Sequence, residues 1–509
     1  MHKLLPICGM LLVLAAACTS APAAPLLVDA LKAGDLAAVQ KALQEGGDPN
    51  AAETDGTTAL HWAVQMNRLD MVSALIAAGA DVNVKNRFGA PPLMLAATNG
   101  NASITDAMLR AGADALAKVP ETGTVLMAAA RTGNPDIVTA LLAKGADPNT
   151  ADPITGQTPL MWAAAEGHAA AVKALLAGGA NIRAQSHDKF SALFFAVRKG
   201  DIGSVDALVL AGADVNETTE PQDTPNCDMY CKQYPAGTKI SPKGDSMLVV
   251  AILNAHYELA DFLLTKGADP NAAGTHWAPL HALERIRNYE ETQYPAPRPT
   301  GNLDSLELAK HLFAHGADPK ARANTITASR GDGAGDQNYQ ELKGATPFFL
   351  AAKGADIPMM HLLLANRADF TTPIDDHTTP LMIAAGIGCV PGQWIEPERD
   401  VLQAVKLMVE ELKADVNAEN DRHETALHGA VCRGADSVVQ YLVDQGARLD
   451  VKDIEGQTPL DVAINGITRP IRIGGPDIIL FKFPLHTAAL LKNLMAQHSA
   501  GSGSVAALR

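Results

Sequence analysis

The sequence is poor in aromatic side chains and in positive charge. Aromatic residues make up only 4% of the chain, whereas Ala and Leu supply much of the 47% that is apolar. This composition is typical of small, closely packed helices, because a disordered chain would be less apolar and more highly charged. Lys and Arg number 41 against 56 Asp and Glu, so the net charge is −15. That deficit argues against binding to nucleic acid, which needs clustered cations, and against broad binding to anionic lipid.

Long apolar runs are absent after the N-terminus, so no transmembrane helix is predicted there. Residues 4–17 form an apolar run that has the length of a signal-peptide core. Two alternatives stay open for its processing. Cys18 ends an imperfect lipobox, with Leu14 one place too far from the cysteine, and would be lipidated; otherwise signal peptidase cuts after Ala23. Residues 1–25 are therefore predicted to be a signal sequence with a short linker, and the protein to reach the periplasm, either free or as an outer-membrane-anchored lipoprotein.

Signatures of catalysis are also missing. The sequence contains no HExxH, GxSxG or P-loop motif. Ser186, His187 and Asp188 stand side by side, but they are predicted to lie at a loop tip, where no buried pocket would tune their pKa values. The chain is predicted not to be an enzyme, and neither a cofactor nor a metal site is predicted.

What the sequence does contain is a repeat. A Thr-Pro-Leu-like start recurs along the chain, and its Leu or Phe stands at Leu60, Leu93, Leu126, Leu160, Leu193, Leu248, Leu280, Phe348, Leu381, Leu427 and Leu460. The basic interval is 33 residues, and the steps of 55, 68 and 46 residues are that interval plus an insertion. A Gly-Ala-Asp landmark follows nineteen residues after the Leu, as at Gly79, Gly112 and Gly145. Self-similarity at such a period predicts a stack of supersecondary units.

One unit shows why it folds as two short helices. Thr158 can cap the first helix, and Pro159 suits its first turn. Leu160 lies on the face that packs inward, and Gly167 ends this helix. A second apolar helix follows, and Gly179 supplies the left-handed residue after it. Because one unit cannot bury its apolar face alone, stacking of the units is required.

The starts resemble those of a known family. Thr158-Pro159-Leu160-Met161-Trp162-Ala163-Ala164 and Thr57-Thr58-Ala59-Leu60-His61-Trp62-Ala63 are similar to the Thr-Pro-Leu-His-x-Ala start of ankyrin repeats. The resemblance covers nearly everything after residue 26. It implies an all-α solenoid of about twelve helix–turn–helix units with β-hairpin or loop fingers. The signal sequence and the lipobox-like segment, in addition, indicate an exported bacterial protein. The resemblance also implies that His61, His281 and His428 form hydrogen bonds between neighbouring fingers and do not bind metal.

The predicted domain organisation follows the repeats. After the signal region we expect an N-terminal capping repeat at 26–54, regular repeats at 55–220, a finger insertion at 221–242, repeats at 243–455 with insertions at 288–303, 327–343 and 386–400, a C-terminal capping repeat at 456–497 with an insertion at 466–485, and a disordered tail at 498–509.

Three of these insertions, 288–303, 386–400 and 466–485, fall between the two helices of their repeats. Because they occur in every second repeat, we expect them to project from one edge as an apolar and aromatic ledge. The alternative is that they pack on one another and stiffen the array.

Cysteines are few, but four of the six lie outside the export segment: Cys227, Cys231, Cys389 and Cys432. In an oxidising compartment this even number suits one or two disulfides. Cys227 and Cys231 are predicted to form a local disulfide in the finger insertion; a zinc half-site is the alternative and would need more ligands. Cys389 and Cys432 fall in adjacent repeats and either pair or remain buried thiols.

The functional hypothesis is a monomeric scaffold that binds a protein partner on the concave face of the array. The predicted anchors stand one or two places after their repeat's Leu: Trp62, Met94, Met127, Trp162 and Phe194. The alternative function is an accessory subunit of an exported enzyme or redox complex, docked through the three inter-helix insertions.

Overall fold

The computed structural model describes residues 23–120, 123–219, 244–272, 277–288, 298–323, 342–388, 396–465, 467–470, 478–481 and 485–506. The chain divides into two compact units. Unit 1 comprises Met1–Ala163 and Ala170–Asn181, and unit 2 comprises Ala164–Ala169 and Ile182–Arg509.

Short helices follow one another in pairs through the described residues. The first ten are α1 Ala23–Lys32, α2 Leu36–Gln44, α3 Ala59–Gln65, α4 Leu69–Ala77, α5 Pro92–Thr98, α6 Ala102–Arg110, α7 Val125–Thr132, α8 Pro135–Ala143, α9 Pro159–Glu166 and α10 Ala169–Ala177. The others are α11 Ala192–Lys199, α12 Ile202–Leu210, α13 Met247–Leu253, α14 Tyr257–Thr265, α15 Pro279–Arg287, α16 Ser305–Ala314, α17 Pro347–Lys353, α18 Ile357–Ala365, α19 Pro380–Ala385, α20 Glu398–Lys406, α21 Ala426–Arg433, α22 Asp436–Asp444, α23 Pro459–Asn465 and α24 Leu485–Ala506. A π-helical turn, Leu407–Glu411, extends α20. The predicted all-α class is confirmed.

Local sequence explains where these helices begin and end, as α7 and α8 illustrate. The Thr124 side chain caps α7 by accepting a hydrogen bond from the Met127 N–H. Gly133 ends α7 at a φ of 83°, which a residue with a Cβ rarely adopts. The Asn134 side chain then caps α8, whose first residue is Pro135. Two residues between the two helices therefore suffice to reverse the chain.

The core of unit 1 is built from leucines and alanines of neighbouring first helices. In α5 and α7, which pack together, Ala96, Ala97, Ala129 and Ala130 are fully buried. Their small side chains let the two helices approach closely, and larger residues of the second helices, such as Met108, fill the groove behind them. Each large apolar side chain buried in this way stabilises the fold by about 1.5–3 kcal/mol.

The segments between one helix pair and the next are called fingers here, and only one of them contains regular strands in the described residues. Strands β1 Lys118–Val119 and β2 Gly123–Thr124 pair antiparallel, with Lys118 opposite Thr124. A second antiparallel pair, β3 Ile467–Pro470 and β4 Ile478–Phe481, lies within the 466–485 insertion between α23 and α24.

Asparagine side chains join consecutive fingers. Asn83 Nδ2 donates to the Gly112 carbonyl at 3.1 Å, and Asn83 Oδ1 accepts from the Asp114 N–H at 2.7 Å. Each of these side chains thus satisfies two backbone groups of the next repeat. The same pair of bonds is made by Asn50, Asn149, Asn216, Asn271 and Asn417. In the finger after α6, Leu116 occupies the corresponding place and is 55% exposed.

The helix bounds place the remaining insertions relative to the repeats. Residues 288–303 fall between α15 and α16, and residues 221–242 and 327–343 fall between helix pairs. The insertion predicted at 386–400 is shorter in the structure, because α20 already begins at Glu398. The negative charges of Glu398 and Asp400 in the first turn of α20 interact favourably with the helix dipole and so stabilise this start. Residues 220–243, 289–297, 324–341 and 389–395 lie outside the described residues.

The C-terminal tail differs from its prediction, since α24 continues through Ala506 and so includes most of residues 498–509. The first half of α24 is anchored by the buried side chains of Leu491 and Leu494. The helix can continue into the tail because extending an existing helix costs less free energy than starting one. Among the described helices, none has the length and apolar content needed to cross a membrane.

Candidate functional site

The five predicted anchors occupy two different places on their first helices. Met94, Met127 and Phe194 stand one place after the repeat's Leu, and each is only 4% exposed. Trp62 and Trp162 stand two places after it and are half-buried. Because successive residues of a helix are about 100° apart, this single step turns a side chain from the core to the surface.

Residues one place after the repeat's Leu make contacts between neighbouring repeats. His61 Nδ1 accepts from the Thr58 N–H at 3.2 Å, so the proton is on Nε2, which donates to the Ala90 carbonyl of the next finger at 3.1 Å. Burial lowers the pKa of His61, which favours this neutral form. His281 and His428 likewise bond the carbonyls of Ala345 and Gln457 in the following fingers. These contacts agree with the structural role that the resemblance implied.

Met94, Met127 and Phe194 share that place with the histidines. Met127 Sδ accepts from the Thr124 N–H at 3.4 Å, as His61 Nδ1 does from Thr58. Phe194 stacks on Phe190, with ring centroids 4.1 Å apart. These side chains contribute packing and little exposed surface, and their contact with a partner stays a prediction.

Trp62 is held at the surface by polar contacts on both sides. Its Nε1–H donates to Glu53 Oε2 at 2.7 Å, and Lys32 Nζ lies 4.4 Å from the ring centroid. Lys32 also pairs with Glu53 Oε1 at 2.9 Å. The hydrogen bonds from Lys32 and Trp62 lower the pKa of Glu53, so the carboxylate stays ionised and continues to accept them. The indole therefore has a fixed orientation before any partner arrives.

Trp162 has a similar neighbour. The Arg131 guanidinium lies 5.9 Å from the centroid of its ring. In both cases the cation comes from the first helix of the preceding repeat and stands five places after that repeat's start residue. Cation–π contacts at such sites contribute about 0.5–1 kcal/mol each.

Two large apolar side chains are exposed at finger tips of unit 1. Phe88 and Ile154 are each 63% exposed, and the Arg87 guanidinium lies 4.7 Å from the Phe88 ring centroid. Leu95 is half-buried at the same helical place as the two tryptophans. Together with those tryptophans, these residues define what we call the finger face of unit 1: Trp62, Phe88, Leu95, Ile154 and Trp162. Sequence reasoning missed Phe88, Leu95 and Ile154. For Phe88 and Ile154 the available signal was a large apolar residue one or two places before a finger glycine, and for Leu95 it was the place two residues after the repeat's Leu.

Several ionisable side chains are buried in the described part of unit 2. Glu284, Asp245 and His281 are each buried. Burial raises the pKa of Asp245 to about 6 and lowers that of His281 to about 4. No group of three or more His, Cys, Asp or Glu side chains able to hold a metal occurs among the described residues.

The structure tests the cysteine predictions only at Cys432. Cys432 is disulfide-bonded, so the alternative of a buried free thiol at this position is wrong. Every other cysteine, including Cys18, Cys227, Cys231 and Cys389, lies outside the described residues. The pairing of Cys389 with Cys432 stays a prediction.

Comparison with known proteins identifies the family. The ankyrin-repeats profile matches residues 26–119, 126–219 and 398–471, and a single ankyrin-repeat profile matches residues 243–272. The matched repeats cover more than half of the chain. This chain therefore belongs to the ankyrin-repeat proteins, and the predicted ankyrin fold is confirmed.

Individual relatives match over part of the chain only. Neurogenic locus notch homolog protein 1 of Mus musculus is 32% identical over 158 residues, which are 30% of this chain and 5% of that protein. Alpha-latrocrustotoxin-Lt1a of Latrodectus tredecimguttatus is 32% identical over 123 residues, which are 24% of this chain and 8% of the toxin. The chain thus spans less than a tenth of the length of these relatives.

Two solved structures are also similar to parts of the chain. The human ASB11 ankyrin repeat domain is 25% identical at a TM-score of 0.35 and covers 38% of this chain and 86% of its own. The ankyrin repeat protein EF0377 is 28% identical at a TM-score of 0.34 and covers 36% of this chain and 97% of its own.

Ankyrin repeats, the family matched by this chain, are a protein–protein interaction module, and proteins built from them are generally non-enzymatic scaffolds.

Proposed function

We propose that this protein is a non-enzymatic scaffold of the bacterial cell envelope that binds a protein partner on the concave face of its ankyrin array. The observation that supports this proposal is the finger face of unit 1, which combines two half-buried tryptophans with the exposed side chains of Phe88 and Ile154. Large aromatic anchors beside exposed apolar residues are typical of the energetically dominant part of an interface.

The finger face suits binding because its anchors are already ordered. The bonds from Trp62 to Glu53 and from Lys32 to Glu53 hold the indole in place. A partner then loses less free energy in ordering these side chains, and more of the contact energy appears as affinity. The helices beneath the anchors are packed through buried alanines, which provides a rigid support.

The cellular setting belongs to the same proposal. Residues 1–25 would direct export, with Cys18 as the lipid attachment point of an anchored form. The array would act as a monomer. It would contain about twelve repeats, because each helix pair from α1–α2 to α23–α24 would be one repeat.

The test is affinity capture from a native envelope fraction, followed by measurement of the captured partner's affinity. The double variant Trp62→Ala/Trp162→Ala should lose about 100-fold or more in affinity, since two such anchors contribute several kcal/mol. Leu210→Ser is the matched control, because Leu210 is apolar and 74% exposed but lies in unit 2. Circular dichroism should show the same helix content for all three proteins.

Unchanged affinity of the double variant would contradict the finger face as the docking site. The accessory-subunit alternative has its own support, because the described ends of the inter-helix insertions are fastened to neighbouring repeats. Glu258 accepts from the Asn302 N–H at 2.7 Å, and Glu396 Oε2 accepts from Arg433 at 3.0 Å. If replacing residues 288–303, 386–397 and 466–484 by short Gly-Ser linkers abolishes capture while the double variant still binds, this alternative replaces the first.

A further inference from the structure

The finger face of unit 1 carries positive charge in a chain that is acidic as a whole. Lys85 and Lys118 stand eight residues before Leu93 and Leu126, so they occupy the same place in successive fingers. Both are exposed, as is Arg87 beside the apolar tip of Phe88. Three cations and an exposed aromatic ring therefore share two adjacent fingers.

Three acidic groups in the described part of the same face already have partners within the chain. Glu53 is bound by Lys32 and Trp62, and Asp152 accepts from the backbone N–H groups of Ile154 and Thr155. Asp55 accepts from the Thr57 N–H at 2.9 Å, and this bond is the largest cause of its lowered pKa, to which the charge of Arg87 adds. These carboxylates are needed to shape their own fingers.

The lysines, in contrast, are not used within the chain. Among the described residues, neither Lys85 nor Lys118 takes part in an ion pair or a hydrogen bond through its side chain. The Arg87 side chain likewise forms no ion pair or hydrogen bond among the described residues, and its guanidinium lies 4.7 Å from the Phe88 ring centroid. The charge that this face offers a partner is consequently positive.

We propose that these two fingers bind an acidic segment of the partner protein that also carries large apolar side chains. Its carboxylates would meet Lys85, Arg87 and Lys118, while its apolar side chains would pack on Phe88 and Leu95. This inference rests on the proposed scaffold function and specifies the partner's chemistry. Arg in particular forms bidentate bonds with carboxylates.

The net charge of −15 does not oppose this assignment. At physiological ionic strength, charges more than about 8 Å apart are largely screened, so the local patch determines what binds. The acidic remainder of the chain disfavours a polyanion long enough to leave the patch, which favours a short acidic segment over nucleic acid.

The experiment is selection of a displayed library of random sixteen-residue peptides on the full-length protein. Enriched sequences should combine Asp or Glu with Phe, Leu, Ile or Trp. A synthetic copy of the most enriched peptide, measured by fluorescence anisotropy, should lose about tenfold in affinity when NaCl rises from about 50 to about 300 mM, because surface ion pairs are screened.

Charge reversal tests the assigned residues. Lys85→Glu/Arg87→Glu/Lys118→Glu should weaken the synthetic peptide by about 30-fold or more, since three attractive contacts become repulsive. The matched control is Lys41→Glu/Lys144→Glu/Lys173→Glu, which makes the same change of charge at exposed positions in or at the ends of α2, α8 and α10, away from the fingers. The control should change affinity by less than about twofold.

Each other outcome overturns the inference in a distinguishable way. Enriched peptides without acidic bias, or equal weakening by both charge reversals, would reject the acidic segment but leave the scaffold function intact. Tighter binding of a single-stranded oligonucleotide than of the peptide would reassign the patch to nucleic acid. No enrichment and no partner captured from the envelope fraction would reject the scaffold function as well.

Discussion

Units 1 and 2 are built from the same repeat, but one repeat of unit 2 buries an ionisable residue where the repeats of unit 1 bury apolar ones. In unit 1, the place four residues after the repeat's Leu holds a small apolar residue, such as Val64, Ala97 or Ala130, each fully buried. In α15 of unit 2, the same place holds Glu284, which is 1% exposed. The comparison shows that the stacking of helices sets the burial of this position, whatever residue occupies it.

The surroundings of Glu284 favour the neutral form of its carboxyl group. Its Oε2 accepts from Asn288 Nδ2 at 3.1 Å, whereas Oε1 is buried with no hydrogen-bond partner. The nearby Arg287 is already used, because its Nε and one terminal nitrogen bind Asp356 at 2.7 and 2.9 Å. Burial, and secondly the charge of Asp356, raise the pKa of Glu284 well above its usual value. Unit 2 thus combines a buried ion pair with a buried acid at one junction between repeats.

The largest effect is expected from breaking that ion pair. Asp356→Ala should destabilise unit 2 by about 4 kcal/mol, because Arg287 is left charged and largely buried. Hydrogen exchange should quicken in α15 to α18 and stay unchanged in α3 to α8. The double variant Arg287→Met/Asp356→Ala serves as the control and should recover much of the loss; equal destabilisation by both variants would contradict the ion-pair explanation.

A substitution in the apolar core of unit 1 tests the same comparison from the other side. Met108 is fully buried in α6, so Met108→Ala should cost about 3 kcal/mol through lost burial and a cavity. Because repeats transmit stability mainly to their neighbours, exchange should quicken around α4, α6 and α8 and not in α15 to α18. Uniform loss of protection along the chain would show that the two units unfold together.

The pH dependence of unit 2 provides the next contrast. A carboxyl whose folded pKa is raised binds its proton more tightly in the folded state, so its contribution is fully present below about pH 4.5 and is lost as pH rises through the folded pKa. Denaturant unfolding of Glu284→Gln should lack this loss, which amounts to about 1.4 kcal/mol per unit of pKa displacement. Some dependence should remain, because Asp245 titrates in the same sense with a pKa of about 6.

Glu411→Gln is the matched control for this measurement, since Glu411 is an exposed glutamate of the same unit. It should follow the wild-type pH profile. A Glu284→Gln profile that coincides with the wild type would mean that Glu284 is ionised when folded.

The smallest effects are expected at the fingers. Asn83→Ala removes both bonds to the next finger and should cost about 1–2 kcal/mol. Leu116→Asn introduces an asparagine at the place where the other fingers have one, so its side chain could bond the backbone near Gly145 in the next finger. It should stabilise unit 1 by about 1 kcal/mol. Thermal unfolding of the two variants checks both, with Leu116→Ala as the control that removes apolar surface without adding the amide. No gain from Leu116→Asn beyond that of Leu116→Ala would show that this finger cannot adopt the common geometry.

Much of the fold followed from short-range patterns. The Thr-Pro start, the helix-ending glycines and the 33-residue interval act within a few residues or between neighbouring repeats, so they predicted the helix pairs correctly. The site was predicted less well. Met94 and Trp62 were treated as equivalent anchors, although one residue of register places the first in the core and the second at the surface.

The sequence by itself therefore determined the repeat, its helix boundaries and its family, because capping and periodicity are local properties of the chain. Tertiary structure alone decided which aromatic residues reach the surface, that Phe88 and Ile154 lie exposed, and that Arg287 meets Asp356 across 69 positions of sequence. Those properties depend on how one repeat stacks on the next, and burial and charge pairing are defined only after that stacking has formed.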